Sequence, residues 1–186
     1  ARLLAEKNGD TISTAANTKF ADIPAHAWYS GYVKYLSNNG ITYGKNKTIF
    51  APNDAITRAE FTTMAVRFFD VYGDGDAEIM EQFSGFNDVS SGYWAAEYIK
   101  YAALHGWING YGDGSFHADR EINRAEVVTI VNRLLGREAD EDYIADNLRK
   151  LNTFPDVTKR HWAYYAVMEA ANAHTAVLGE SESWSK

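Results

Sequence analysis

Two stretches of the chain carry apolar residues at the spacing of one helix face. Steps of three and four residues place such positions on the same side of an α-helix, so the pattern predicts two amphipathic helices. Each apolar run follows a motif that ends in Arg-Ala-Glu, at residues 57–60 and 123–126. A Thr or Asn three residues before a Glu is typical of a capping box, so both helices are predicted to begin there. The apolar positions are Phe61, Met64, Ala65, Phe68 and Phe69 in the first helix, and Val127, Ile130, Val131, Leu134 and Leu135 in the second.

The arginines of the two motifs, Arg58 and Arg124, are not explained by helix capping. A cation in the first turn opposes the helix dipole, which costs about 0.3–1 kcal/mol at an exposed site. Free amides at a helix N-terminus and an adjacent guanidinium can together bind a carboxylate or a phosphate. We therefore predict that both arginines bind an anionic ligand; the alternative is an intramolecular salt bridge. Glu60 and Glu126 could orient these arginines, although the capping box explains them without a ligand.

The chain repeats itself at a nearly constant interval, which indicates a repeat architecture. Each copy begins with a Phe-x-Asp motif, and a tryptophan follows eight residues later. The first two copies align without a gap, and each is predicted to form a helix, a short hairpin and a second helix. Gly40 and Gly106 stand where a glycine ends the first helix. The copies start at Phe20, Phe86 and Phe154, and their tryptophans are Trp28, Trp94 and Trp162.

The third copy is degenerate, because the sequence after His174 shows neither a hairpin signal nor an Arg-Ala-Glu motif. Residues 1–8 match the end of a second helix, so we expect the chain to be a piece of a longer protein. The connector at 70–85 is acidic, whereas the one at 138–151 has helical spacing and is expected to add a helix. The expected units are a truncated first repeat with its connector at 1–19, full repeats with connectors at 20–85 and 86–153, and a degenerate third repeat at 154–186.

Composition narrows the classes of function. The chain has 186 residues, of which 46% are hydrophobic, enough to bury a core. A net charge of -7 argues against nucleic acid as the main partner, because phosphate binding relies on a basic face. No stretch approaches the roughly 20 apolar residues of a membrane helix, so membrane insertion is not expected. The sequence has no cysteine and no catalytic or metal-binding motif, so we expect no cofactor, no metal and no catalytic residue.

The order of the motifs resembles the S-layer homology domain of bacterial cell-surface proteins. The shared elements are Phe-x-Asp-Val, Trp-Ala, Gly-Tyr-x-Asp-Gly-x-Phe and Arg-Ala-Glu, and they extend over nearly the whole chain. The resemblance implies a mainly α fold, in which tandem helix-hairpin-helix repeats pack as a pseudo-threefold spindle with short β-hairpin or loop segments. It also implies a secreted protein of the cell surface, held to the cell wall or in an S-layer.

The resemblance further implies a ligand. Domains of this family bind an anionic secondary cell wall polysaccharide linked to peptidoglycan, often pyruvylated, in grooves between neighbouring repeats. The arginine of the motif meets the acidic group there, a role that would fall on Arg58 and Arg124. For the tryptophans the alternative is packing in the core. Asp22, Asp88 and Asp156 are predicted to cap the turn before the first helix of each copy. The remaining candidate ligand-binding residues are Glu60, Glu126, Trp28, Trp94, Tyr43, Trp107, Tyr111 and Asp88.

The leading hypothesis is a non-catalytic anchor that binds a wall polysaccharide. One alternative is a wall-active glycoside hydrolase that uses paired carboxyl groups such as those of Glu60 and Asp88. That chemistry needs a carboxylic acid with a raised pKa. Another alternative is a structural module that associates with copies of itself in a surface layer.

Overall fold

The computed structural model describes residues 1–72, 83–177 and 183–185, and these residues are mainly α-helical. The predicted fold class is therefore confirmed, while the pseudo-threefold arrangement stays a prediction. None of the helices within the described residues is long and apolar enough to cross a membrane. The acidic connector lies largely at 73–82, outside the described residues. The helices are α1 (Arg2–Asn8), α2 (Ser30–Asn38), α3 (Arg58–Tyr72), α4 (Ala96–Leu104), α5 (Arg124–Leu134), α6 (Glu141–Asn147), continued by a 3-10 turn (Leu148–Lys150), and α7 (Tyr164–Ala171).

The helices α3 and α5 begin at the two predicted capping boxes. The Thr57 amide donates to Glu60 Oε2 at 2.9 Å, and the Glu60 amide donates to Thr57 Oγ1 at 3.2 Å. Asn123 and Glu126 make the same two bonds, each at 3.0 Å. Each box satisfies two backbone donors that a helix start otherwise leaves without partners, which is why the motif fixes the first residue of the helix.

The first helix of each full repeat begins two residues after its tryptophan, because α2 follows Trp28 and α4 follows Trp94. Both helices end just before the predicted glycines. Gly40 has φ of 73° and Gly106 has φ of 68°, in the left-handed region that glycine adopts without a steric penalty. The predicted connector helix is also present, as α6.

A narrow loop joins the two helices of each full repeat. The Tyr111 amide donates to the Ser115 carbonyl at 2.8 Å, and the Lys45 amide donates to the Ile49 carbonyl at 2.9 Å. These two bonds occupy equivalent positions of the second and the first repeat. The first loop is therefore closed in the same way as the second, although its sequence lacks the Asp-Gly dipeptide of the second.

The shared geometry of these loops depends on an aspartate from the start of the repeat. Asp88 accepts from the amides of Phe116 and His117, both at 2.7 Å. Asp22 accepts from the equivalent amides of the first loop at 2.9 and 2.6 Å. The prediction that Asp22 and Asp88 cap the turn before the first helix was wrong. They bind backbone 28 and 29 residues away, where His117 has a left-handed φ of 54° and its amide needs an acceptor.

The third repeat does contain an antiparallel strand pair, which corrects the expectation that it lacks a hairpin. Strand β1 (Thr175–Val177) pairs with β2 (Ser183–Ser185). Trp184 stands at the position that Phe116 has in the second repeat, and both side chains are buried. A tryptophan thus replaces the phenylalanine as the buried anchor of the second arm. It packs in a small core with Ile144, Tyr164 and Met168.

The second helix of one repeat packs against the first helix of the next. The helix α3 contacts α4, α5 contacts α7, and α3 also contacts α5. The main core lies among α3, α4 and α5, with Phe116 and Trp107 of the second loop inside it. This packing brings the end of one repeat against the loop of the next.

Three main-chain hydrogen bonds join the first turn of α3 to the loop of the following repeat, and we call them the backbone joint. Two of them satisfy the amides of Arg58 and Ala59, and Thr57 Oγ1 accepts from the amide of Glu60. The first-turn amides of α3 are therefore not free to bind an anion, contrary to the expectation from the sequence. The bonds run from the amides of Arg58, Ala59 and Ile122 to the carbonyls of Arg120, Ala118 and Ile56, at 2.9, 2.9 and 3.0 Å.

Candidate functional site

Two concave grooves lie at equivalent positions of the two full repeats. Both are of a size that suits a small ligand or part of a polymer. The first groove, of about 340 Å³, is lined by loop residues 42–45, by Glu60 and Arg67 of α3, and by Trp94 of the next repeat. The second groove, of about 360 Å³, is lined by loop residues 107–111, by Glu126 and Arg133 of α5, by Trp162 of the next repeat, and by Arg58.

Arg58 reaches from its own repeat into the wall of the second groove. Its Nη1 donates to Glu126 Oε1 at 2.8 Å, and only 6% of its side chain is exposed. Its Nε donates to the Phe116 carbonyl at 2.8 Å, and its Nη2 donates to the Asn109 carbonyl at 3.3 Å. Three of the five N–H groups of the guanidinium are therefore used to tie one repeat to the next.

Glu126 is the centre of a polar cluster in the second groove. Besides Arg58, its Oε1 accepts from the Tyr111 hydroxyl at 2.9 Å and from Arg120 Nη2. Burial alone would raise the pKa of Glu126. The Asn123 amide, the Tyr111 hydroxyl and the two guanidiniums outweigh burial and lower that pKa below its ordinary value. Glu126 is therefore ionised at neutral pH, and it holds Arg58 in place.

The first groove has different charged residues at the same positions. Lys45 replaces Tyr111 and forms an ion pair with Glu60 at 2.7 Å. Asp54 stands where the second repeat has Arg120, so the sign of the charge is reversed. A counterpart of Arg58 would precede residue 1, so the first groove has none within this chain.

Arg124 has surroundings unlike those of Arg58, although both belong to the same motif. It is exposed at the start of α5, and among the described residues no hydrogen bond or ion pair engages its side chain. Arg58, in contrast, is buried against Glu126 and two main-chain carbonyls of the following repeat. Arg58 therefore forms an intramolecular salt bridge, which was the alternative to ligand binding, whereas Arg124 is exposed to solvent.

The three repeated tryptophans are exposed, so the alternative that they pack in the core was wrong. The exposed fraction is 56% for Trp94 and 65% for Trp162, and each ring stands at the edge of a groove. Trp28 is 76% exposed but lines neither groove. Large exposed aromatic rings at a concave surface are typical of a binding site.

Some of the remaining candidate ligand-binding residues line a groove, and others are buried or already bonded. Tyr43 is exposed in the first groove, and Tyr111 is partly exposed in the second. Trp107 borders the second groove but is only 3% exposed, and it packs on the rings of Phe69 and His105. The carboxylate of Asp88 is occupied by the loop amides described above.

Sequence reasoning missed one arginine in each groove. Arg67 and Arg133 lie further along α3 and α5 and line the first and second grooves. They occupy equivalent positions of the two full repeats, just as the Arg-Ala-Glu motifs do, so their recurrence was a visible signal. Arg120 was also missed, because nothing nearby in the sequence suggests its contact with Glu126.

The cluster around Glu126 predicts a dependence of stability on pH. Because the folded protein lowers the pKa of Glu126, the unfolded chain takes up the proton first as the solution is acidified. The stabilisation is complete above the ordinary value of 4.5 and is lost as the pH falls through the lower folded value. We expect Glu126→Gln to be less stable at pH 7 and to lose less stability on acidification. Urea unfolding between pH 7 and pH 3 measures this, and parallel curves for both proteins would contradict it.

Comparison with known proteins identifies the family of the two full repeats. Residues 19–62 and 85–128 match the S-layer homology domain, and each matched stretch contains one Arg-Ala-Glu motif. Cell surface glycoprotein 1 of Acetivibrio thermocellus is 31% identical over 93% of this chain, which spans 7% of that protein. The cellulosome-anchoring protein of the same bacterium is 29% identical over 87% of the chain, which spans 34% of it.

A third relative is the surface-layer 125 kDa protein of Lysinibacillus sphaericus, 28% identical over 69% of the chain. The chain spans 11% of that protein, so it corresponds to a minor part of the length of all three relatives. Both family matches contain the loop and the helix start that build a groove. Residues 19–62 and 85–128 are two S-layer homology domains, and through them the chain belongs to that family.

Proposed function

We propose that the chain is a non-catalytic anchor that binds an anionic secondary cell wall polysaccharide, linked to peptidoglycan, in its grooves. Membership of the S-layer homology family places it at the bacterial cell surface. The observation that carries the proposal is the exposed tryptophan at the edge of each groove. An indole ring offers a flat apolar face to a sugar ring and one N–H donor to a hydroxyl.

The polar walls of the grooves suit the same ligand. Guanidinium groups bind carboxylates through two parallel hydrogen bonds, and both grooves contain arginine. Two grooves on one chain also favour a polymer over a free monosaccharide. Once the first groove is occupied, the second meets the same polymer at a high effective concentration, so two weak sites together hold it firmly.

The carboxyl groups considered for a glycoside hydrolase do not suit that chemistry. The two amides of the second loop outweigh burial and lower the pKa of Asp88. Burial would raise the pKa of Glu60, but Lys45 and the Thr57 amide outweigh burial and lower that pKa. A general acid for glycoside cleavage needs a raised pKa, and both carboxyl groups have the opposite shift.

Binding to purified sacculi tests the proposal. We expect the chain to bind Acetivibrio thermocellus sacculi that retain their secondary polysaccharide and not sacculi from which it has been extracted. The double change Trp94→Ala and Trp162→Ala should weaken this binding by at least about tenfold, because it removes the aromatic anchor of each groove. Co-sedimentation with a dilution series of sacculi measures both effects.

The matched control is Trp28→Ala, which removes an even more exposed tryptophan that lines neither groove. It should bind as the unchanged chain does. Equal binding to extracted and intact sacculi would contradict the polysaccharide as ligand, and unchanged binding of the double variant would contradict the grooves as the site.

A further inference from the structure

Three Asn-Gly dipeptides occur in the chain, beginning at Asn8, Asn39 and Asn109. An asparagine followed by glycine is the pair most prone to spontaneous deamidation, because glycine has no side chain to shield its amide nitrogen. That nitrogen attacks the side-chain amide of the asparagine, so the reaction requires a glycine amide that is not engaged elsewhere. The three dipeptides have different surroundings in the structure.

The dipeptides at Asn8 and Asn39 lie at helix C-termini and are restrained on both sides. The amide of each following glycine donates to the carbonyl three residues before it, at 3.2 Å in both cases. Both asparagine side chains donate to Tyr35, Asn8 Nδ2 to its hydroxyl at 3.2 Å and Asn39 Nδ2 to its carbonyl at 2.9 Å. Reaction at either dipeptide therefore requires these bonds to open first, which slows it.

The dipeptide at Asn109 lies in the loop of the second groove and lacks these restraints. Both of its residues are exposed, and among the described residues the Gly110 amide donates no hydrogen bond. The side-chain amide of Asn109 has a partner at each end when its nitrogen donates to the Ile108 carbonyl at 3.0 Å and its oxygen accepts from Arg133 Nη1 at 3.3 Å. Neither bond engages the nitrogen that attacks, so Asn109 can react in the folded protein.

Arg133 also favours the reaction at Asn109. As the Gly110 nitrogen attacks Asn109 Cγ, negative charge develops on Oδ1 of the side-chain amide. The Nη1 donor of Arg133 lies 3.3 Å from this oxygen, so it is positioned to stabilise the developing charge. The second groove thus combines a free attacking amide with a cation at the atom that becomes negative.

Glycine is required at position 110, whereas the residue before it differs between the repeats. A Cβ on Gly110 would lie 2.5 Å from Phe86 Cε1 and 2.6 Å from the Ser115 carbonyl oxygen, which is closer than a Cβ approaches other atoms. The first repeat keeps the glycine, as Gly44, but has Tyr43 before it. Of the two grooves, the second alone therefore has an Asn-Gly dipeptide in its loop.

The reaction replaces the side-chain amide with a carboxylate. The Gly110 nitrogen gives its proton to a solvent base and forms a bond to Asn109 Cγ. The bond from Cγ to the side-chain nitrogen breaks, and ammonia leaves after taking a proton from water. Water then opens the resulting succinimide ring at one of its two carbonyls. Opening at Cγ gives aspartate, and opening at the main-chain carbonyl gives isoaspartate, in which the chain continues through the former side chain.

Both products form their carboxylate beside a guanidinium. In aspartate the carboxylate replaces the side-chain amide, which contacts Arg133. In isoaspartate it forms from the main-chain carbonyl of Asn109, which accepts from Arg58 Nη2 at 3.3 Å. Isoaspartate also adds one carbon to the backbone of the loop. Either product therefore changes the charge of the groove wall at a residue that contacts two of its arginines.

We propose that Asn109–Gly110 is a site of spontaneous deamidation, and that the carboxylate formed there weakens the binding of an anionic polymer in the second groove. The effect on binding rests on the proposed function, because it arises from repulsion between the new charge and the polymer. The chemical step does not depend on that function. The second groove thus loses affinity as the protein ages, and no enzyme is needed.

Peptide mapping of the aged chain tests the chemical step. The folded chain is incubated in mildly alkaline heavy-oxygen water, which labels every product formed during the incubation. Mass spectrometry and isoaspartyl methyltransferase then quantify aspartate and isoaspartate at the three sites. We expect Asn109 to react at least about tenfold faster than Asn8 and Asn39. Equal rates at the three sites in the folded chain would overturn the proposal.

Two controls separate the effect of the fold from that of the local sequence. In urea the three rates should agree to within about threefold, because the restraints on Asn8 and Asn39 are gone. A tenfold difference that persisted in urea would assign the selectivity to the local sequence and overturn the argument from the fold. Arg133→Gln should slow the reaction at Asn109 by about threefold or more and leave Asn8 unchanged. An unchanged rate at Asn109 would overturn the role of Arg133.

Binding to intact sacculi tests the consequence, with Asn109→Asp and Asn109→Gln as matched variants. Glutamine keeps an amide but deamidates far more slowly, because its longer side chain closes a ring less readily. We expect the aged chain and Asn109→Asp to bind about three- to tenfold more weakly than the fresh chain. Asn109→Gln should bind as the fresh chain does, before and after incubation.

The outcomes of the binding experiment distinguish two kinds of failure. Equal binding by Asn109→Asp and Asn109→Gln would overturn the effect of deamidation on the groove. Failure of the fresh, unchanged chain to bind intact sacculi would instead overturn the proposed function, while the rates measured at the three asparagines would still decide the chemical step.

Discussion

Replacing Arg58 with alanine is expected to lower the free energy of unfolding by about 3–5 kcal/mol. The change removes the buried cation of Glu126, which leaves only the half-exposed Arg120 against that carboxylate, and it removes the donors to the Phe116 and Asn109 carbonyls. Removing one member of a buried ion pair is more costly than the pair itself is stabilising, because the remaining charge keeps its desolvation penalty. Urea unfolding followed by tryptophan fluorescence and circular dichroism measures the loss.

The matched control is Arg124→Ala, which changes the same residue of the same motif. Because Arg124 is exposed and unpaired within the described residues, this variant should differ from the unchanged chain by no more than about 0.5 kcal/mol. Equal losses for the two variants would mean that the arginine stabilises the helix start itself. If Arg58→Ala left the free energy of unfolding unchanged, that result would contradict a role for Arg58 in holding the two repeats together.

Replacing Trp184 with alanine should destabilise the third repeat by about 3–5 kcal/mol, the usual cost of removing a large buried aromatic side chain. Its ring stacks on that of His174 with centroids 3.9 Å apart, and its amide donates to Asp140 Oδ2 at 3.0 Å. The surrounding core is small, so few other contacts can compensate for the cavity. Hydrogen exchange of the α6 and α7 amides should show the loss of protection.

Trp162→Ala is the control within the same repeat, because Trp162 is 65% exposed whereas Trp184 is 6% exposed. It should retain its stability to within about 0.5 kcal/mol while it weakens binding to the wall. Trp184→Ala with unchanged exchange in α6 and α7 would show that β2 is dispensable for the third repeat. A large loss in Trp162→Ala would show that its exposed ring has a structural role.

The elements that depend on nearby residues could be predicted from the sequence. Two kinds of signal affect only the backbone within a few residues: the capping boxes at Thr57 and Asn123, and the glycines after α2 and α4. Their effect on the backbone therefore depends on a short stretch of chain. The regular recurrence of the Phe-x-Asp and tryptophan positions likewise located the two full repeats and, with them, the loops that line the grooves.

The partners of the site residues could not be predicted in this way, because they are distant in sequence. Arg58 bonds to Asn109, Phe116 and Glu126, which lie 51, 58 and 68 residues further along. A motif shows that an arginine recurs, but burial and charge partners depend on what the next repeat brings to the junction. Arg58 and Arg124 occupy the same position of the motif, yet Arg58 is buried in an ion pair and Arg124 is exposed.

The backbone joint connects two repeats through main-chain atoms, whereas the grooves are lined by side chains. Main-chain amides and carbonyls are the same whatever side chains accompany them, so the bonds from α3 to the loop at 118–122 place little demand on the residues beside them. Lys45 against Tyr111 and Asp54 against Arg120 show that facing walls have already diverged within one chain. Recombination that exchanged one repeat for another would therefore keep these main-chain bonds while it changed the side chains of the groove walls. In such a protein, the walls of one groove can change during evolution without changing those of the other.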